Sequence, residues 1–128
     1  MGEHRASLDK LTESIIGAAI EVHRELGAGM LEGVYEECLA KELEIAGIRF
    51  LRQPKLPVHY KGVVVENAYR LDLLVEDAVV VEVKSVERLL PIHEAQLLTY
   101  LRFSKKKIGL LLNFNVKLMK NGVRRLSL

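Results

Sequence analysis

The sequence predicts one α+β (or α/β) domain, a mixed β-sheet flanked by helices. Its first third holds two stretches in which apolar residues recur at steps of three and four, the period of a helix. From Ile48 that spacing gives way to short β-branched runs. A third helical stretch then separates these runs from a nearly continuous apolar one. With 128 residues, the chain has the commonest size of a single domain, so one core spanning 1–128 is expected, with 1–6 a flexible N-terminus.

Taken in order, Ser7 to Leu26 carries Leu8, Leu11, Ile15, Ala19, Val22 and Leu26 on one face, with Ser7 suited to the N-cap. The glycines of "ELGAGM" supply a stop and a turn. Leu31 to Ala46 is the second helix, its face made by Leu31, Val34, Tyr35, Cys38, Leu39, Leu43 and Ala46; Gly47 ends it. "IRFLRQ" and "KLPVHYKG" are extended in character, and Pro54 and Pro57 suit an edge or an irregular strand. "VVVENAYRLDLLV" and "AVVVEVKSV" flank Glu76-Asp77 and give a hairpin signal. Pro91 opens the third helix, "PIHEAQLLTYLRFS". "KIGLLLNFNV" follows as a buried strand, and Asn121-Gly122 suggests a tight turn between "VKLMK" and "VRRLSL".

Composition narrows the function classes. About half the residues are hydrophobic and a quarter charged, as in folded soluble proteins. One cysteine, Cys38, excludes a disulfide framework and a thiolate metal cluster. No apolar stretch is long enough to span a membrane, so no membrane role and a cytoplasmic location are expected. The net charge of +2 says little about a polyanionic partner. Within the last quarter, however, Lys105, Lys106, Lys107, Arg124 and Arg125 belong to a basic cluster that suits either phosphate contacts or a solvated surface.

The chemistry concentrates on the hairpin. Side chains alternate along a strand, so Val79, Val81 and Val83 share one face while Val80, Glu82 and Lys84 share the other. A three-residue loop centred on Asp77 sets Asp72 opposite Glu82; a two-residue loop breaks the match. Two carboxylates a strand-width apart can hold a hard cation such as Mg²⁺ or Mn²⁺. A lysine two residues beyond can steady a water or a charged phosphoryl oxygen. The plainer alternative is a salt-bridged sheet face, with Lys84 and Arg70 pairing the two acids.

Asp72, Glu82 and Lys84, followed by a helix carrying Gln96 and Tyr100 as Q-x₃-Y, resemble the PD-(D/E)xK nuclease superfamily, and within it the RecB-like branch. Gly29, Glu32 and Tyr35, in the order G-x₂-E-x₂-Y, resemble the GxxExxY family, and the "GLLLNFNV…LMKNGVRR" tail fits the same likeness. The resemblance implies a restriction-endonuclease-like fold with one metal site. It implies His23 as a further metal ligand, Glu32 as an acidic residue contributed by a helix, and Gln96 and Tyr100 facing the site. Leu71 stands where the family pattern has proline.

Each of these side chains also has a plainer role. His23 beside an apolar stripe suits a hydrogen-bonded core position, Glu32 the start of a helix, and Tyr35 a hydrogen bond within the core. Gln96 and Tyr100 share a helical face with His93 and suit a polar flank. Glu36, Glu37, Lys41 and Glu42 are expected on the solvated side of the second helix. The function expected is metal-dependent phosphodiester hydrolysis of nucleic acid. The rival is a nucleic-acid-binding or protein-interaction module on the same fold, without useful turnover. A chain this short leaves room for a homodimer to complete an active enzyme.

Overall fold

The apolar periods of the sequence sort onto the two faces of one sheet. The computed structural model describes residues 2–128, with side chains from Ser7 onward. Helices α1 (Gly2–Leu26) and α2 (Glu32–Ile45) come first, then β1 (Phe50–Arg52), β2 (Lys55–Tyr60), β3 (Val63–Arg70), β4 (Leu73–Val75) and β5 (Val79–Lys84). Helix α3 (Pro91–Ser104) leads to β6 (Ile108–Asn113), a 3-10 turn (Met119–Gly122) and β7 (Val123–Ser127). Of the segment 1–6 expected to be flexible, Met1 and the side chains of residues 2–6 lie outside the described residues.

The central sheet has the order β1-β4-β5-β6-β7. Its β5–β6 pair is parallel and the others antiparallel, so it is mixed, and α3 makes the crossover between the parallel strands. Val79, Val81 and Val83 face Ile15, Ala19 and Val22 of α1 and Leu39 and Leu43 of α2. Val80, Leu74 and Leu111 pack on the reverse face against Leu97 and Leu101 of α3. β5 is therefore covered on both sides, as its unbroken Val run requires. The fold is the mixed sheet with flanking helices that the sequence predicts, consistent with a restriction-endonuclease-like architecture.

Helix α1 ends as expected at Gly27, whose N–H donates to His23 O at 2.8 Å with φ at +70°, a left-handed value that glycine adopts without strain. Helix α3 starts on Pro91, and His93 Nδ1 accepts the Leu90 N–H at 3.0 Å. His93 therefore caps the helix that carries Gln96 and Tyr100.

Two expectations are corrected. The run from Val63 to Val75 is not one strand: β3 pairs with β2 in a separate two-stranded sheet, and only Leu73–Val75 join β5. The break falls at Leu71-Asp72. There the Leu71 N–H turns to Pro54 O at 3.1 Å, and Asp72 O accepts the Gln53 N–H at 2.8 Å. The second correction concerns Asn121-Gly122. These residues close a 3-10 turn, and β7 pairs back onto β6 instead of onto 116–120. Glycine is required there by close approach, because a Cβ on Gly122 would sit 2.0 Å from Asn113 O.

Candidate active site

Local register decides whether the two hairpin carboxylates meet. Glu76 and Asp77 take φ values of +52° and +53°, and the Ala78 N–H donates to Val75 O at 3.0 Å. The connection therefore spans three residues, and the pairs Val75↔Val79, Leu74↔Val80 and Leu73↔Val81 follow. Continued by one step, that register sets Asp72 opposite Glu82. Both leave the sheet on the α3 face, with Lys84 two residues further along β5.

Glu82 is buried and Asp72 half-buried, and this desolvation opposes the ionisation of both. Glu82 is 4% exposed, and its Oε1 is enclosed without a hydrogen-bond partner. Burial, then the Asp72 charge and a hydrogen bond with the Asp72 carboxyl, push the Glu82 carboxyl up to about 9. Burial also raises Asp72, although the Val83 N–H donating to Asp72 Oδ2 at 2.7 Å pulls the other way. The salt-bridged sheet face is not what forms. Among the described residues, no ion pair joins Lys84 or Arg70 to either carboxylate.

A third acid stands nearby, and it is not the expected one. Glu36 of α2 is 5% exposed, and its charge raises Asp72 further. Its Oε2 accepts from Arg52 Nε at 2.8 Å and Gln53 Nε2 at 2.9 Å. The expectation that Glu36 faces solvent is therefore wrong; it follows Glu32 by one helical turn on the stripe that continues through Ala40 and Leu43. Glu37 and Lys41 are exposed, as expected. Glu32 is exposed as well, and its Oε2 accepts the Ser85 N–H at 3.4 Å, next to Lys84 and not at the pair.

The segment after β5 is tied from several sides. Ser85 Oγ donates to Met30 O at 2.7 Å. The buried Asn113 amide takes the Val86 N–H on Oδ1 and gives Nδ2–H to Val86 O, both at 3.0 Å. Lys84 O accepts the Phe114 N–H at 2.9 Å. The lysine thus stands on backbone whose polar groups are paired with three other parts of the chain. Asn113 had no motif to reveal it; only its place in an otherwise apolar strand set it apart.

Tyr35 has the core role that its position on the stripe allowed. It stacks on Phe114 at 4.5 Å, donates its hydroxyl to Gly27 O at 2.5 Å and accepts the Met30 N–H at 3.1 Å. Residues 27–30 are thereby closed over the start of α2. His23 is not brought to the carboxylates. Its Nε2 lies 2.7 Å from Val116 O, and a carbonyl only accepts, so this nitrogen carries the proton. Among the described residues, no group of three His, Cys, Asp or Glu side chains is close enough to hold a metal.

On α3, Gln96 is exposed while Tyr100 is half-buried. Tyr100 stacks at 5.1 Å on Tyr69, which the sequence did not single out; the Tyr69 hydroxyl is enclosed without a partner. Burial first, then the Glu82 and Asp72 charges, raise Tyr100, which stands on the same α3-facing side of the sheet as the pair. The lysines of the basic cluster lie elsewhere, whereas Arg124 pairs with Leu111, the β6 partner of Glu82. Lys107 immediately precedes Ile108, which pairs with Val79 at the far end of β5, and Lys106 Nζ bonds Asp77 Oδ1 at 3.0 Å. That end is roughly 17 Å from Lys84 along the strand. Arg124 bonds the Val123 carbonyl, and Arg125 pairs with Asp9 at 2.6 Å.

A family model described as the PD-(D/E)XK nuclease superfamily matches residues 9–126. The chain belongs to the PD-(D/E)XK nuclease superfamily. No curated protein and no solved structure matches the chain significantly. For a member of this superfamily, the enclosed Glu82 Oε1, beside the Asp72 carboxyl, tests the fit of a divalent cation. Two converging oxygen-bearing acids, one an orphan acceptor, are a donor set suited to a hard cation. Among the described residues, no helix is long and apolar enough to cross a membrane.

Proposed function

We propose that the chain hydrolyses phosphodiester bonds in nucleic acid with the help of a divalent metal, using Asp72, Glu82 and Lys84. One observation carries this reading. A nuclease-superfamily chain sets a buried Glu82 against a half-buried Asp72, with no ion pair to either among the described residues and an unpartnered oxygen on Glu82. Desolvated acids that only the nearby Lys84 charge offsets, without an ion pair, cost stability and suit a site completed by a cation.

Asp72 and Glu82 would hold Mg²⁺ or Mn²⁺, which supplies positive charge that polarises the phosphoryl group and acidifies the attacking water. Asp72 is aimed by the Val83 N–H, which occupies Oδ2 and leaves Oδ1 directed by the same bond. Lys84 steadies the water and offsets charge that develops on the phosphoryl oxygens. Glu36, held by Arg52 and Gln53, adds negative field at the Asp72 side. Tyr100, and Gln96 one turn before it, border the substrate side. His23 works as a strut that ties α1 to the segment after β6 through Val116. The Q-x₃-Y and G-x₂-E-x₂-Y spacings support placing the chain in the RecB-like branch and the GxxExxY group.

The test is calorimetric titration of Mn²⁺ and Mg²⁺ into the wild type and into an Asp72→Ala/Glu82→Ala variant of verified fold, followed by a nuclease screen. Saturable binding lost in the variant, with cleavage lost in Lys84→Ala, is expected. Nucleic-acid binding by the wild type with no cleavage under any metal would replace the enzyme with a binding module.

A further inference from the structure

The β2–β3 hairpin touches the core only at its root, where the half-buried Leu56 and Tyr69 pack against the α3-side cluster. Its strands pair only with each other, and no residue from Lys55 to Arg70 is buried. A two-stranded sheet is marginal in water by itself, yet this one presents an apolar face. The pairs Val58↔Val65 and Tyr60↔Val63 place those four side chains on one side, with Tyr60 62% and Val63 57% exposed. At the tip, Lys61 Nζ lies 5.4 Å from the centre of the Tyr60 ring.

Charge decides what could cover this face. The arm carries Lys55, Lys61 and Arg70 against the single acid Glu66. The chain has 19 basic and 17 acidic residues, so outside the arm the two signs balance at sixteen each. The whole formal excess therefore sits on a hairpin that ends two residues before Asp72. A second copy laid face to face would bring like charges together, whereas a polyanion meets complementary charge. At the root, Tyr69 stacks on Tyr100 of α3 and β3 ends two residues before Asp72, so a nucleic-acid strand lying along the arm leads toward the carboxyl pair.

We propose that the β2–β3 arm grips an unpaired nucleic-acid strand, with bases against Tyr60 and the valine face and phosphates against Lys55, Lys61 and Arg70. The apolar face is what selects an unpaired strand, because only unstacked bases offer it their faces. The arm is about 20 Å long, enough to hold several nucleotides. This inference rests on the proposed nucleic-acid substrate and adds its class.

The test uses fluorescence anisotropy in metal-free buffer with labelled single-stranded and blunt duplex oligonucleotides, across a salt series. The wild type is expected to prefer the single strand. Tyr60→Ala/Val63→Ser should weaken that binding ~10-fold or more. Lys55→Gln/Lys61→Gln should lower the salt slope by roughly 0.7 for each charge removed. Equal affinity for duplex, no binding by the wild type, or affinity unchanged in the first variant would each overturn the proposal. So would a dimer by light scattering that the first variant dissolves while nucleic-acid affinity persists, since the face would then join two copies. Absence of metal-dependent cleavage with the arm effects intact would remove the nuclease reading and leave the arm assignment standing. Cleavage and binding both indifferent to the arm variants would do the reverse.

Discussion

Replacing Glu82 by glutamine should stabilise the metal-free protein at neutral pH. In the folded chain the Glu82 carboxyl titrates at about 9, against 4.5 for an ordinary glutamate. Between those values the native state keeps a proton that the unfolded chain has released. Stability from this group is thus fully present below pH 4.5 and is lost progressively as pH rises through about 9. At 1.36 kcal/mol per unit, the loss reaches at most ~4 kcal/mol by pH 7.5 and ~6 kcal/mol above pH 9. Asp72, also raised by burial, adds to the same slope. Water reaching the pair reduces these figures, so they are ceilings.

Glutamine keeps the shape of the side chain and can donate its amide N–H to Asp72, while carrying no charge to desolvate. Thermal unfolding in EDTA at pH 4.5 and pH 8 reads the effect. The two proteins should melt together at the lower pH, and the variant should melt several degrees higher at pH 8, at roughly 2–8 °C per kcal/mol. Added Mn²⁺ should raise the wild type by about 2.7 kcal/mol at a hundredfold excess over Kd and leave the variant unmoved. A variant that melts lower than the wild type at pH 8 without metal would refute the reasoning. Glu82 would then be an ionised member of a satisfied ion pair.

Other substitutions separate chemistry from scaffold. Lys84→Ala should keep its melting temperature within a few degrees and its Mn²⁺ affinity, yet lose cleavage by at least ~100-fold; measurable turnover at the wild-type rate would remove the lysine from the mechanism. Tyr35→Phe should cost about 1–3 kcal/mol in chemical denaturation, because the Gly27 carbonyl and Met30 N–H both lose their partner. Asn113→Ala should lose a comparable amount, and hydrogen exchange at Val86 should quicken; unchanged exchange there would mean that water replaces the amide without loss. Glu36→Gln should weaken Mn²⁺ binding more than Glu32→Gln, since only Glu36 presses its charge on Asp72. Equal effects by calorimetry would undo that distinction.

Most of the architecture was legible because it rests on periods. Helix α3 was bounded correctly by Pro91 and the change of pattern after Ser104, and β5 by its Val run. The facing of Asp72 and Glu82 followed from parity once the turn was counted as three residues, and the structure has that turn. What escaped was governed by contacts distant in sequence. The break at Leu71-Asp72 depends on the Pro54 and Gln53 backbones, which no local pattern announces. Asn121-Gly122 has the composition of a hairpin turn, but its glycine answers the Asn113 carbonyl across the sheet. Glu36 has charged sequence neighbours, yet it lies beside Tyr35 and four residues before Ala40, on the buried stripe of α2. The Lys/Arg-rich tail shows the converse. Sequence proximity made a cluster, and the fold then set Lys105, Lys106 and Lys107 at the end of β5 away from Lys84.

The distribution of satisfied and unsatisfied groups separates the two explanations of the hairpin acids. A structural ion pair would be expected to spend its nearest cations on its carboxylates, since an uncompensated buried charge costs several kcal/mol. This chain does the opposite within a few residues. Around Lys84 the backbone is tied by Asn113, Ser85 and Phe114, so the lysine is placed by groups that leave its ammonium unpaired by either acid. Arg52, the cation that is spent, goes to Glu36 on the next element. Glu82 meanwhile keeps an enclosed oxygen without a donor. Rigid support beneath the lysine and a missing donor at Glu82 are hard to reconcile with a role in holding the sheet together. They agree with a site whose remaining charge arrives from outside the chain.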